Sequence, residues 1–110
     1  MRLEGRIVIV TGASSGFGRA IAERVAREGA NVVIADLDEI GGKETASLVH
    51  DAGADAELVV GDIGTEPGAR LAVERALARF GTVDVLVNNA ASHHRRKRTA
   101  GTRPRRVGIA

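Results

Sequence analysis

The chain has 110 residues, a formal charge of +2, 44% apolar residues, and no tyrosine, tryptophan or cysteine. Such a length suits one domain burying roughly 65% of its unfolded surface, and the composition excludes both disordered and membrane classes. Without cysteine there are no disulfides or thiolate metal sites, which fits a reducing, cytoplasmic setting. No apolar run approaches the ~18 residues of a membrane span, so no membrane partner is expected, and Met1-Arg2-Leu3-Glu4-Gly5 does not open a signal peptide.

The small net charge hides a segregation. All 14 acids lie in residues 1–92 beside nine bases, a net −5, whereas residues 93–110 hold seven bases and no acid, a net +7. The first element is the β-branched run Ile7-Val8-Ile9-Val10, which suits a strand covered on both faces. Thr11-Gly12-Ala13-Ser14-Ser15-Gly16-Phe17-Gly18 follows directly and leads into a helix. There Phe17, Ile21 and Val25 form an apolar stripe widened by Ala22 and Ala26, Arg19 lies outside it with the other charges, and Gly29 supplies the stop. Val32-Val33-Ile34-Ala35 is the second strand. A second helix runs from about Glu39 to Ala52, its start weakened by Gly41-Gly42 by about 1 kcal/mol per glycine. Leu58-Val59-Val60 is the third strand. Thr65 is the expected N-cap of a third helix, with Pro67 in its first turn, an Ala69/Val73/Ala76/Leu77/Phe80 stripe, and Gly81 as stop. Val83-Asp84-Val85-Leu86-Val87 is the fourth strand, and the pattern ends after Asn88-Asn89-Ala90-Ala91. Alternation of strand and helix with right-handed crossovers predicts an open doubly wound sheet, and four units are too few to close a barrel. Residues 92–110 follow neither period and are predicted to be a disordered tail.

Glycines between a strand and a helix let a pyrophosphate approach main-chain N–H groups at a helix N-terminus. Here the spacing is Gly-x3-Gly-x-Gly rather than Gly-x-Gly-x-x-Gly. Thr-Gly-x3-Gly-x-Gly, an Asp after the second strand, Asp62-Ile63 after the third and Asn88-Asn89-Ala90 after the fourth together resemble the short-chain dehydrogenase/reductase family. The likeness covers residues 1–91 and implies a Rossmann-like α/β half-domain, strand order 3-2-1-4, truncated after about four strands and followed by the 92–110 tail. Residue by residue, it implies that Gly12, Gly16 and Gly18 shape a pyrophosphate loop. Ser14, Ser15 and Phe17 would contact the adenosine ribose or the phosphates. Asp62 and Ile63 would flank the adenine, Asn89 and Ala90 would lie along the nicotinamide-side ribose, and Asn88 would tie the central strands. The family usually has Gly where Ala91 stands.

Asp36, 18 residues beyond Gly18, sits near the spacing of a ribose-binding acid. A carboxylate accepts bonds from both ribose hydroxyls and repels a 2′-phosphate. At roughly 1.5–3 kcal/mol per charge-assisted bond, a preference of tenfold or more for NAD over NADP is expected. Ser15 and Leu37 stand where a compensating arginine would serve NADP. The alternative role for Asp36 is a solvated helix cap beside Asp38.

The resemblance also implies a catalytic Ser and a Tyr-x-x-x-Lys pair, the tyrosine passing a proton to or from the substrate oxygen. This sequence has no tyrosine, and His93-x-x-x-Lys97, which mimics the spacing, comes too early. The expected chain is therefore a fragment of an NAD-dependent oxidoreductase, inactive alone, that binds NAD(H). An alcohol or carbonyl substrate would belong to a full-length parent. The competing readings are a non-catalytic NAD(H)-binding module and a basic-tailed protein that binds nucleic acid. The second is disfavoured, because the tail has no aromatic residue to stack on bases and no helical face to enter a groove; separately, His93-His94 lacks the further ligands of a metal site. An abrupt change of composition after Ala91 suggests a shifted reading frame. An uncovered fourth strand predicts low stability and self-association.

Overall fold

A computed structural model describes residues 2–89; the basic segment, Ala90, His93 and Lys97 lie outside them. The elements are β1 (Ile7–Thr11), α1 (Gly16–Arg27), β2 (Asn31–Asp36), α2 (Glu39–Asp51), β3 (Ala56–Val60), α3 (Glu66–Phe80) and β4 (Val85–Val87). All strands are parallel, in the order β3-β2-β1-β4. This is the expected Rossmann-like α/β sheet.

Alternation along β1 and β2 explains the layers. Val8, Val10, Val32 and Ile34 point to one face, where they pack with Ala22 and Ala26 of α1 and Val49 of α2. Ile7, Ile9, Val33 and Ala35 point to the other, against Ala72 and Ala76 of α3. The two central strands are thus buried on both sides, which is why their sequences read as unbroken β-branched runs.

Three local expectations change. Phe17 does not join the core stripe: it is 78% exposed, and the buried row of α1 is Gly18, Ala22 and Ala26, with Ile21 and Val25 flanking it. Close approach to the glycine loop leaves room only for small residues on that row. In α3 the sheet-facing row is Ala72 and Ala76, while Ala69, Val73 and Leu77 are exposed along the next row. The predicted stripe merged two faces, and no described element covers the outer one. Finally, β4 is shorter than the apolar run, because the Asp84 carboxylate rather than a main-chain carbonyl accepts the Ile7 N–H at 2.9 Å.

Gly41 and Gly42 also acquire a purpose. A Cβ at Gly41 would lie 2.9 Å from the Ser14 carbonyl oxygen, and one at Gly42 would lie 2.6 Å from a Leu58 methyl. These glycines cost helix propensity but let the start of α2 press against the loop after β1 and against β3. Among the described residues, no helix is long and apolar enough to cross a membrane.

Candidate functional site

The C-terminal ends of β1, β2 and β4 converge where the loop Gly12–Ser15 turns into α1. Gly12 and Gly16 adopt φ of +66° and +58°, the left-handed region that side chains disfavour. Gly18 serves differently. Its Cβ would fall 2.1 Å from the Gly12 carbonyl oxygen, so only a hydrogen lets the helix start this close to the strand. A Cβ at Gly16 would meet nothing within 4 Å, so the loop is open there.

The start of α1 differs from the other two helices. Asp38 caps α2 by accepting the Gly41 N–H, and Thr65 caps α3 by accepting the Gly68 N–H. Ser15, the N-cap of α1, makes no side-chain cap bond, and the first turn of α1 contains no acid. Amides at a helix start have no intrahelical acceptor and carry the positive end of the helix dipole. The arrangement can therefore receive an anion from solvent.

Asp36, half-buried at the end of β2, reaches toward this loop. Its Oδ2 accepts the Ser14 N–H and its Oδ1 accepts the Asp38 N–H, both at 3.0 Å. Capping of α2 falls to Asp38 (3.0 Å to Gly41 N), so Asp36 is not the helix cap. A carboxylate offers about four lone-pair positions, which leaves acceptor capacity for hydroxyl groups. The two neighbouring serines part company. The Ser14 hydroxyl is buried and donates to the Asp38 carbonyl at 3.0 Å, whereas Ser15 is exposed.

β4 returns to the loop through its two asparagines. The Thr11 hydroxyl lies 3.3 Å from both the Val87 carbonyl and Asn88 Oδ1, and it accepts the Asn89 N–H at 2.8 Å. Asn89 Nδ2 donates to the Gly12 carbonyl at 3.2 Å. Both asparagines thus tie β4 to the β1 end. Farther out, Asp62 turns its carboxylate to the Gly64 N–H of its own turn. Ile63 packs against the α3-side core and lines an apolar hollow with Ile9, Val73 and Leu86. Gly12, Ser14, Gly18, Asp36 and Asn89 therefore gather at one place; Ile63 shares its hollow with Thr11 and Asn88 of the same strand ends, while the Asp62 carboxylate stays in its own turn before α3.

Two residues of this region have no motif to announce them. Thr45 of α2 is fully buried and donates to the Ala13 carbonyl at 2.7 Å. Arg19 donates through Nη2 to the Ser14 carbonyl and, at 3.1 Å, to the Gly41 carbonyl. Gly68, whose Cβ would lie 2.0 Å from the Asp62 carbonyl oxygen, is a third omission. Nothing in the sequence marks Thr45 as buried, and Arg19 reads like any solvated helical charge.

Comparison with known proteins finds a family and several relatives. The short chain dehydrogenase family model matches residues 6–105, a span that reaches into the basic segment. The uncharacterized oxidoreductase YhxC of Bacillus subtilis is 44% identical over 94 residues, 84% of this chain and 33% of that protein. An uncharacterized oxidoreductase of Thermotoga maritima is 42% identical over 89 residues, covering 81% of this chain and 35% of its own length. Glucose 1-dehydrogenase 2 of Bacillus subtilis is 43% identical over 89 residues, 80% of this chain and 34% of that enzyme. The chain spans about a third of the length of these relatives. It belongs to the short chain dehydrogenase family.

Proposed function

We propose that the loop at the end of β1 binds the pyrophosphate of a nicotinamide dinucleotide and that Asp36 holds its adenosine ribose, favouring NAD over NADP. The single observation carrying this reading is the Asp36 carboxylate, fixed by the Ser14 and Asp38 amides beside an uncapped helix start. Open space at Gly16 and the absence of an acid in the first turn of α1 fit a group bearing two phosphates. When bound, the nicotinamide supplies a hydride acceptor or donor. This chain's own residues bind and orient: α1 amides meet negative charge, and Asp36 accepts hydroxyl protons in hydrogen bonds. Ser15 and Asn89 stand at the mouth of the same loop.

The parent reaction under this reading is alcohol/carbonyl interconversion, in line with relatives described as oxidoreductases and a glucose 1-dehydrogenase. The 110 residues contain no tyrosine to serve as the proton-transferring acid or base. We therefore assign them nucleotide binding and not turnover. Titration of the full chain with NAD and NADP tests the assignment. Asp36→Ala is expected to weaken NAD by about tenfold, the loss of one charge-assisted bond, and NADP less. Equal weakening of the two would remove Asp36 from the ribose, and no binding of either by the unsubstituted chain would end the reading.

A further inference from the structure

The glycine loop is held from behind. Its carbonyls at Ala13 and Ser14 are both taken by side chains of the flanking helices: Thr45 Oγ1 donates to the first at 2.7 Å and Arg19 Nη2 to the second. The two side chains are themselves joined, with Arg19 Nε donating to Thr45 Oγ1 at 2.9 Å. Arg19 then continues to the Gly41 carbonyl at 3.1 Å and to Glu44 Oε1 at 3.0 Å. Fully buried Thr45 also lies 3.2 Å from the Gly41 carbonyl. One guanidinium and one hydroxyl thus connect α1, α2 and the loop.

The consequence follows from peptide geometry. The described chain has no cis peptide bond. In a trans peptide the carbonyl of one residue and the N–H of the next point in opposite directions. Pulling the Ala13 carbonyl toward Thr45 turns the Ser14 N–H the other way, where Asp36 Oδ2 accepts it at 3.0 Å. Pulling the Ser14 carbonyl toward Arg19 likewise turns the Ser15 N–H away from the guanidinium. The direction of the loop amides is therefore set by two side chains that belong to no glycine motif.

We infer that Arg19 and Thr45 are positioning residues for phosphate binding, acting through the loop carbonyls without touching the ligand. This rests on the dinucleotide reading above. An ordinary helix-to-helix brace would need contacts only between α1 and α2. Here one bond from each side chain ends on the loop itself.

The test uses the full chain, titrated with NAD and with adenosine, the latter carrying no phosphate. Thr45→Val removes the hydroxyl at nearly constant shape, Thr45→Ser keeps it, and Arg19→Met keeps most of the apolar stem. The Arg19 side chain is 29% exposed, so Arg19→Met supplies a folded variant even if the buried Thr45→Val does not fold. Thr45→Val and Arg19→Met are expected to raise the NAD dissociation constant about tenfold. Adenosine should stay within about twofold in Arg19→Met and weaken less than NAD in Thr45→Val, whose Ala13 carbonyl precedes the Ser14 amide that holds Asp36. Thr45→Ser should restore NAD binding. Unchanged NAD affinity in both variants would overturn the inference, as would equal losses for NAD and adenosine, which mark a purely structural brace. If the unsubstituted chain bound adenosine but not NAD, the phosphate reading and this inference would fall together. Variant indifference in an NAD-binding chain would defeat the inference alone.

Discussion

At Gly18 a methyl group would lie 2.1 Å from the Gly12 carbonyl oxygen and 2.9 Å from the Ala13 Cα, both main-chain atoms that move only if the strand or helix moves. Gly16, two residues earlier, has a left-handed φ of +58° but open space around it. The two positions are glycine for different reasons and should answer differently to substitution. Gly18→Ala is expected to lose about 3 kcal/mol or more of stability, the upper range of overpacking. Gly16→Ala should lose about 1–2 kcal/mol, the strain of a left-handed residue alone. Urea unfolding measures both, and a Gly18→Ala variant no less stable than Gly16→Ala would contradict the geometry. Both glycines were legible as loop glycines, yet the spacing could not separate a turn requirement from a packing one. Gly68 was not legible at all, because its obstacle is the Asp62 carbonyl, placed there by a turn that only the folded backbone defines. Arg19 and Thr45 escaped for a related reason: they are 26 residues apart, and nothing local to either predicts their meeting.

Elements were easier to read than their faces. The strand runs were found because burial on both sides demands continuous β-branched sequence, and Thr65 and Gly81 marked the ends of α3 through cap chemistry. The stripe on α1 missed only at Phe17, and the one on α3 joined buried Ala76 and half-buried Phe80 to an exposed row of Ala69, Val73 and Leu77. Apolar periodicity weights large residues, whereas tight packing on a parallel sheet selected Ala22, Ala26, Ala72 and Ala76. What remains is an outer row on α3, with Val73 38% and Leu77 48% exposed beside the hollow edged by Leu86. Under the expectation that copies of this chain associate through the uncovered β4 edge, Val73→Lys, in the hollow shared with Leu86, should lower the concentration-dependent mass in sedimentation. Its effect on unfolding free energy should stay within about 0.5 kcal/mol, as for ordinary surface changes. An unchanged mass would place association elsewhere.

For the molecule as a whole, the order of the strands was legible only through the family resemblance, since alternating elements alone permit several windings. Charge segregation was legible by counting, but its basic partner lies outside the described residues. The sheet has a further property that concerns time rather than binding. Paired residues of β1 and β2 are 24 positions apart (Ile7 with Asn31, 31 − 7), whereas on the other side of β1 Ile7 and Asp84 are 77 positions apart. Just three residue pairs, Val8 with Val85, Ile9 with Leu86 and Val10 with Val87, make that second ladder. Closing a long chain segment for so short a ladder places β4 late in folding and early in opening. Amide hydrogen exchange should accordingly find Val85–Val87 protected less than Val32–Ala35, and equal protection would refute this order. Because Asn88 and Asn89 hang from the end of β4, the mouth of the glycine loop inherits the breathing of that three-pair strand, and the escape of any ligand held there would be timed by its opening.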